Sequence, residues 1–358
     1  MSSETNIIDE AAKDQAVAPA RFDITSFGAD YDVEGLVKRL NRDDIFIPPF
    51  QRNYVWNVTE ASRFVESLLL GLPVPAVFLA REPDSNRLLV IDGQQRLKTL
   101  QFYFSGYFNP KEGDKTKRVF RLTGVQPEFE GRTYQELREP DRIQLNDSII
   151  HAIIVKQESP PGDDTSVFHI FERLNSEGRK LTEQEMRAAL YHGDFIAMLR
   201  TLNSYKNWRS IFGNPHSRLK DEELILRFLA LEERADKYER PMAEFLTKFT
   251  AKNRKPSSEQ LARWHDLFTK VIDEIHSNLG NKAFRPERAL NAAVFDSVMV
   301  GVARRLVKGP IKSEIDFNSA YSHLLSDKAY QDVTLRATSD DTSVKKRIEM
   351  ATQAFRGV

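Results

Sequence analysis

The residues best suited to chemistry stand in one run, Leu88-Leu89-Val90-Ile91-Asp92-Gly93-Gln94-Gln95-Arg96-Leu97-Lys98-Thr99-Leu100. An apolar strand pattern runs into a Gly turn, and the helix that follows opens with Gln, Gln and Arg, then Lys98. A helix N-terminus has unpaired N–H groups and the positive end of its dipole, so it can hold an anion. Gly93 lets a ligand come close to the backbone, Arg96 can grip phosphate oxygens through two parallel hydrogen bonds, and Lys98 adds a point charge. A local reading stands beside this one, with Asp92 as N-cap and Gln95 reciprocating from the third position. The two are compatible, and residue types leave both open.

A second group lies in Ile47-Pro48-Pro49-Phe50-Gln51-Arg52-Asn53-Tyr54-Val55-Trp56, an irregular stretch opened by prolines just before a helix. Loop aromatics either stack on bases or bury themselves to anchor the loop. Packing is the favoured role for Tyr54 and Trp56. Gln51 and Arg52 have no packing role to play, which makes them the better functional candidates.

Together these segments resemble the N-terminal domain of GmrSD-type restriction systems (domain of unknown function 262). That family is similar to the ParB/sulfiredoxin-like nucleotide-binding fold. Its pattern is a Pro-x-Tyr-Gln-Arg-x-Tyr-x-Trp box, a Gly-x-Pro-x-Pro turn and an Asp-Gly-Gln-Gln-Arg box. This chain carries IPPFQRNYVW, GLPVP and VIDGQQRLKTL in that order. Phe171-Glu172-Arg173-Leu174-Asn175-Ser176-Glu177-Gly178, followed by Leu181 and Glu185, resembles a third box. The resemblance covers about residues 25–200.

The resemblance implies a cytoplasmic anti-phage or restriction-type protein that uses a nucleoside triphosphate to control recognition or cleavage of foreign or modified DNA. Asp92, Gly93, Gln94, Gln95 and Arg96 would form the nucleotide-phosphate motif, with Gln51 and Arg52 facing the same cleft. If hydrolysis occurs, Asp92 would help hold Mg²⁺ or orient water, Gln94 or Gln95 would position that water, and Arg96 would hold phosphate. Phe50, Tyr54, Trp56 and Asn175 would support the site. Two departures matter: Phe50 stands where the family has Tyr, and Lys98 replaces a common Thr, adding charge beside the phosphate site. Partners implied are DNA and a separate nuclease or other defence subunit; the sequence leaves a homo-oligomer open and does not fix the oligomeric state. The rival reading is a non-hydrolysing DNA-binding sensor or scaffold that recruits a separate nuclease.

The elements that must position these residues follow from periodicity. Residues 33–40 have helical spacing, and 44–47 read as a short strand. A helix begins at Asn57, whose spacing to Glu60 is that of a capping box. Residues 76–81 and 87–91 read as a hairpin, and 148–156 as a buried strand. Thr182 and Glu185 form another capping-box pair, which gives the third box a structural explanation. Ser159-Pro160-Pro161-Gly162-Asp163-Asp164 is the strongest linker signal. Beyond it helical spacing dominates, at 165–175, 182–202, 219–234, 241–251, 257–279, 286–307 and 344–355.

The expected fold is therefore α+β: a flexible acidic tail over 1–20, a ParB-like α/β domain over 21–160 and an all-helical domain over 161–358. The tail is assigned on its lack of aromatics and of sustained periodicity. Fifty-two basic side chains balance 52 acidic ones, so any nucleic-acid surface must be local. One local candidate runs from Phe195 to Lys220, where no acid occurs. Arg200, Lys206, Arg209, Arg218 and Lys220 are there interleaved with Tyr205, Trp208 and Phe212. A solvated helix face over an aromatic core explains that stretch equally well. With no cysteine there is no thiolate metal site or thiol nucleophile, and the seven histidines lack metal-ligand spacing. No metal ligands are assigned, nuclease chemistry by the chain itself is not expected, and no apolar run is long enough to span a membrane.

Overall fold

The computed structural model describes residues 6–9, 23–47, 54–82, 87–110, 113, 116–159, 170, 181–311 and 313–358. The chain divides into two compact units. One spans Phe22–Leu181, and the other joins Met1–Arg21 to Thr182–Val358. The linker signal suggested a boundary near 160, but the division falls at 181. The helical unit is also discontinuous, because residues 6–9 belong to it.

Ile7–Ile8 (β1) is the N-terminal piece of that unit. The α/β unit then runs β2 (Asp23–Asp32), α1 (Val33–Asn41), β3 (Ile45–Phe46), α2 (Val58–Leu69), β4 (Val77–Arg81), β5 (Leu88–Asp92), α3 (Gln94–Ser105), α4 (Glu139–Asp147) and β6 (Ile149–Ser159). Its five strands lie in the order β2-β6-β4-β5-β3. β4 and β5 form the antiparallel hairpin that their sequences predict, whereas β4–β6 and β3–β5 are parallel. The fold is thus mixed α+β.

Local chemistry explains the helix starts. Asp32 accepts the Gly35 N–H at 2.6 Å, and α1 buries Val33, Leu36, Val37 and Leu40. At α2 the Asn57 side chain accepts from Thr59 and Glu60 N–H, and Glu60 returns a bond to the Asn57 N–H at 2.8 Å. That capping box fixes where the stripe Ala61, Phe64, Val65, Leu68 and Leu69 begins, and all five are buried. They pack in one core with Leu79, Val90, Leu97 and Leu100, under the strand–helix junction of interest.

The helical unit contains α5 (Glu183–Leu190), α6 (Asp194–Asn203), α7 (Lys206–Phe212), α8 (Lys220–Arg234), α9 (Met242–Lys252), α10 (Ser258–Leu279), β7 (Leu290–Asn291), α11 (Ala292–Leu306), α12 (Glu314–Ser326), α13 (Lys328–Leu335) and α14 (Asp341–Ala354). Two expectations change here. The helix expected over 182–202 is broken at Gly193, whose φ of 149° interrupts it. The unit is not all-helical either, because β7 pairs in parallel with β1, Ile7 opposite Leu290 and Ile8 opposite Asn291.

The composition of residues 1–20 pointed to a flexible tail. Residues 6–9 instead dock, and the reason is electrostatic. Asp9 accepts from Arg227 Nη1 at 3.1 Å, and Arg227 also pairs with Asp296 through Nε at 3.0 Å and Nη2 at 2.6 Å. Arg347 Nη2 reaches the same Asp296 at 2.9 Å. All four side chains are buried, so two arginines face two aspartates away from water. A buried charge is tolerable only when paired and hydrogen-bonded, which ties Asp9 to the unit.

Candidate functional site

The junction of β5 with α3 brings together five of the residues singled out by type. Asp92 ends β5, and Gly93 follows at φ 99°, in the left-handed region. A Cβ on Gly93 would lie 2.5 Å from Val77 Cγ1, so glycine is required by conformation and by the approach of β4. The space beside Gly93 is therefore filled by Val77 rather than open to a ligand. With Gly93 as its N-cap, α3 begins without a side-chain cap.

The expected Asp92–Gln95 capping box does not form, because both side chains are used elsewhere. Gln95 Oε1 accepts the backbone N–H groups of Val55 at 3.0 Å and Trp56 at 3.3 Å. Asp92 Oδ2 accepts from Arg96 Nη2 at 2.6 Å. Arg96 Nη1 donates to the carbonyls of Pro75 at 2.6 Å and Ala76 at 2.9 Å. One guanidinium thus clamps the chain leading into β4 and the end of β5 to the first turn of α3. Its side chain is 13% exposed. The phosphate-gripping role expected for Arg96 gives way to a clamping one. The carbonyls of Pro75 and Ala76 were missed from sequence, although the GLPVP turn places them beside the motif.

Tyr54 and Trp56 are packing anchors. The Tyr54 hydroxyl donates to Thr99 Oγ1 at 2.7 Å, and that hydroxyl donates in turn to the Gln95 carbonyl at 2.8 Å. The Tyr54 ring meets Phe102 and Phe108 edge-on at 5.0 and 5.7 Å, and burial pushes its phenol up to about 12. Trp56 packs against Phe64 at 5.7 Å. Gln95 and Tyr54 therefore tie the end of the first box to α3. Phe50, Gln51, Arg52 and Asn175 lie outside the described residues.

Two motif side chains remain. Gln94 is buried at the head of α3. Lys98, one turn further on, is half-buried, and among the described residues no acid or acceptor is recorded for it. Desolvation lowers its pKa, because a cation withdrawn from water without a counter-charge is disfavoured.

A comparison with known families decides what this arrangement belongs to. Residues 33–192 match the family described as GmrSD restriction endonuclease, N-terminal domain. This segment is a GmrSD-type N-terminal domain. The match starts at α1, takes in every element of the junction and runs on through α5 of the helical unit. Membership carries a restriction- and defence-related role. No curated protein matches the chain.

At the end of the GmrSD-type match, Thr182 and Glu185 form the capping box expected of them, with the Thr182 N–H donating to Glu185 at 2.6 Å. The basic stretch downstream is largely neutralised from within. Arg218 pairs with Glu185 at 3.0 Å, and Arg209 pairs with Asp221 at 3.0 Å and donates to Asn203 at 2.7 Å. Tyr205 and Asn207 both donate to Asp273. Trp208 and Phe212 are buried. Lys206 and Lys220, with no recorded partner among the described residues, are too few to make a basic track. The solvated-face reading of 195–220 accounts for this geometry better than the DNA-tracking one.

Sequence reasoning also missed Glu222, which is 5% exposed at the start of α8, with Oε2 buried and unbonded. Arg200 of α6, Arg209 of α7 and Asp221 are the charges that act on it. Burial outweighs the arginines and pushes its carboxyl up to about 7. The folded state therefore holds this proton more tightly than the unfolded one. Stability falls as pH rises from about 4.5 to about 7, and stays reduced above that window. Glu222→Gln is expected to remove that slope and to raise stability at pH 8 by roughly 2 kcal/mol. Urea titrations at pH 5 and pH 8 check this, and equal slopes in both proteins would show that Glu222 does not titrate there.

Proposed function

We propose that the GmrSD-type domain is a ParB-like module that binds a nucleoside triphosphate at the N-terminus of α3 and thereby controls recognition or cleavage of foreign or modified DNA. The observation that carries this reading is Lys98, a half-buried cation with no counter-charge recorded among the described residues, behind a helix start that has no side-chain cap. A phosphate would supply the missing anion and accept from the first-turn N–H groups. The binding set proposed is Gln94, the first-turn N–H groups of α3 and Lys98, joined by Gln51 and Arg52 of the first box. Asp92, Gln95 and Arg96 serve the site by holding its walls. Mg²⁺ would accompany the triphosphate and offset part of its charge.

Binding without turnover is the form best supported. Asp92 is engaged by Arg96, and Gln95 by two backbone N–H groups, so the side chains that would orient a water are already occupied. On this reading the chain is a nucleotide-responsive sensor that hands DNA to a separate nuclease.

Calorimetric titration of a nucleotide panel, with and without Mg²⁺, tests both parts. Lys98→Met is expected to weaken binding at least about tenfold, equivalent to ~1.4 kcal/mol, without lowering the melting temperature. Lys98→Arg should keep part of the affinity. Unchanged affinity in folded Lys98→Met protein would remove Lys98 from the site, and phosphate release by the pure chain would overturn the non-hydrolysing form.

A further inference from the structure

β2 ends the five-stranded sheet, with β6 its one hydrogen-bonded neighbour among the described residues. Ile24–Gly28 are all exposed, with the Arg81 guanidinium over the Phe27 ring at 5.9 Å. Ile24 is 37% exposed and Phe27 41%. A regular edge of unpaired N–H and C=O groups is a template for another strand, and proteins usually guard it with Pro, Lys or a bulge. β2 has neither Pro nor Lys, its charges (Asp23, Asp30 and Asp32) leave the run Ile24–Ala29 uncharged, and its one irregularity lies at its start, between Asp23 and Ile24. The rest of the ladder is regular through Asp32.

We propose that this edge pairs antiparallel with the same edge of a second copy of the chain, across a two-fold axis at Phe27. The register follows from parity. Alternate residues of β2 direct their N–H and C=O towards β6, and the others direct theirs outwards. Residues opposed in the new ladder must both point outwards or both inwards, so their numbers differ by an even amount. An axis at Phe27 sets Phe27 against Phe27, Ser26 against Gly28, Thr25 against Ala29 and Ile24 against Asp30. No like charges meet, and the exposed aromatic rings cover one another. An axis one residue either way sets Phe27 against Ala29 or against Thr25 and loses the aromatic pair. Such a contact is isologous and closes at two copies. The zero net charge of the chain places no bulk repulsion between copies.

The lack of cysteine allows a direct test. At the axis, Phe27→Cys puts two thiols on Cα atoms about 4.5–5.5 Å apart, within disulfide reach. Mild oxidation of the full chain should yield a covalent dimer. Thr25→Cys should not cross-link to itself, because the two copies of residue 25 would lie about 13 Å apart. A mixture of Thr25→Cys and Ala29→Cys should cross-link between variants. By light scattering the natural chain should be a dimer that dissociates on dilution. Phe27→Asp, which sets two carboxylates face to face, should raise the dissociation constant at least about tenfold with an unchanged circular dichroism spectrum. A natural chain that stays monomeric, a Phe27→Asp protein that still dimerises, or a Phe27→Cys protein that does not cross-link would each overturn the proposal.

Discussion

Asp296→Ala is expected to reduce the stability of the chain by about 3–5 kcal/mol, the usual scale for leaving a buried charge without its partner. The loss is large because one carboxylate serves two arginines. Arg227 reaches both of its oxygens, and Arg347 shares one of them. Burial penalises the Arg227 charge, yet Asp296 and Asp9 hold its pKa well above the ordinary arginine value. With Asp296 gone, the buried Arg347 would lose its carboxylate partner, and Arg227 would keep Asp9, with Glu223 acting through space. Asp9→Ala should act in the same direction and less severely, because Asp296 keeps its two bonds to Arg227. Denaturant unfolding followed by tryptophan emission reads both variants, as Trp208 and Trp264 are buried in this unit. Near-neutral values at both positions would mean that the network does not hold these helices together.

Arg96→Ala is expected to cost about 2–4 kcal/mol, and any loss of nucleotide binding should accompany a lowered melting temperature. The figure reflects an ion pair and two charge-assisted bonds to carbonyls, all made by a side chain largely withdrawn from water. Arg96→Lys should recover little, because an ammonium cannot span Pro75, Ala76 and Asp92 at once. A phosphate-gripping arginine would behave differently, with weaker binding in a protein that melts normally. Thermal melts by circular dichroism beside calorimetric titration separate the two. An unchanged melting temperature in Arg96→Ala would show that the clamp contributes nothing to stability.

What could be read from the sequence was what neighbouring residues decide. The α2 capping box and the Thr182–Glu185 pair have both partners within one helical turn, so spacing alone reveals them. The β4–β5 hairpin and the stripe of α1 were legible for the same reason. β2 was not, because Asp23–Asp32 mixes exposed polar and apolar residues and owes its conformation to a ladder with β6, far along the chain. Asp9 resembles any acid in a polar stretch until Arg227 is found opposite, 218 residues away. At the motif itself, sequence identified the residues but not their bonds. Gln95 has the spacing of a capping partner, yet the backbone of Val55 and Trp56 takes its carbonyl. Gly93 and Val77 show why, since the tight approach of β4 leaves α3 a glycine start that Asp92 does not cap.

The pairing of β1 with β7 has a consequence for how the chain is made. Ile7 and Leu290 are translated roughly 280 residues apart, and at ~5–20 residues per second that interval is on the order of 15–60 s. During it the α/β unit, whose sheet partners all lie between Asp23 and Ser159, is synthesised in full and can collapse on its own contacts. The inserted unit can therefore mature before the unit that surrounds it. The outer unit must close this long-range contact at the high loop-closure entropy that slows folding. Until Leu290 and Asn291 emerge, Ile7 and Ile8 lack their strand partner on the nascent chain, where a chaperone or a protease meets them first.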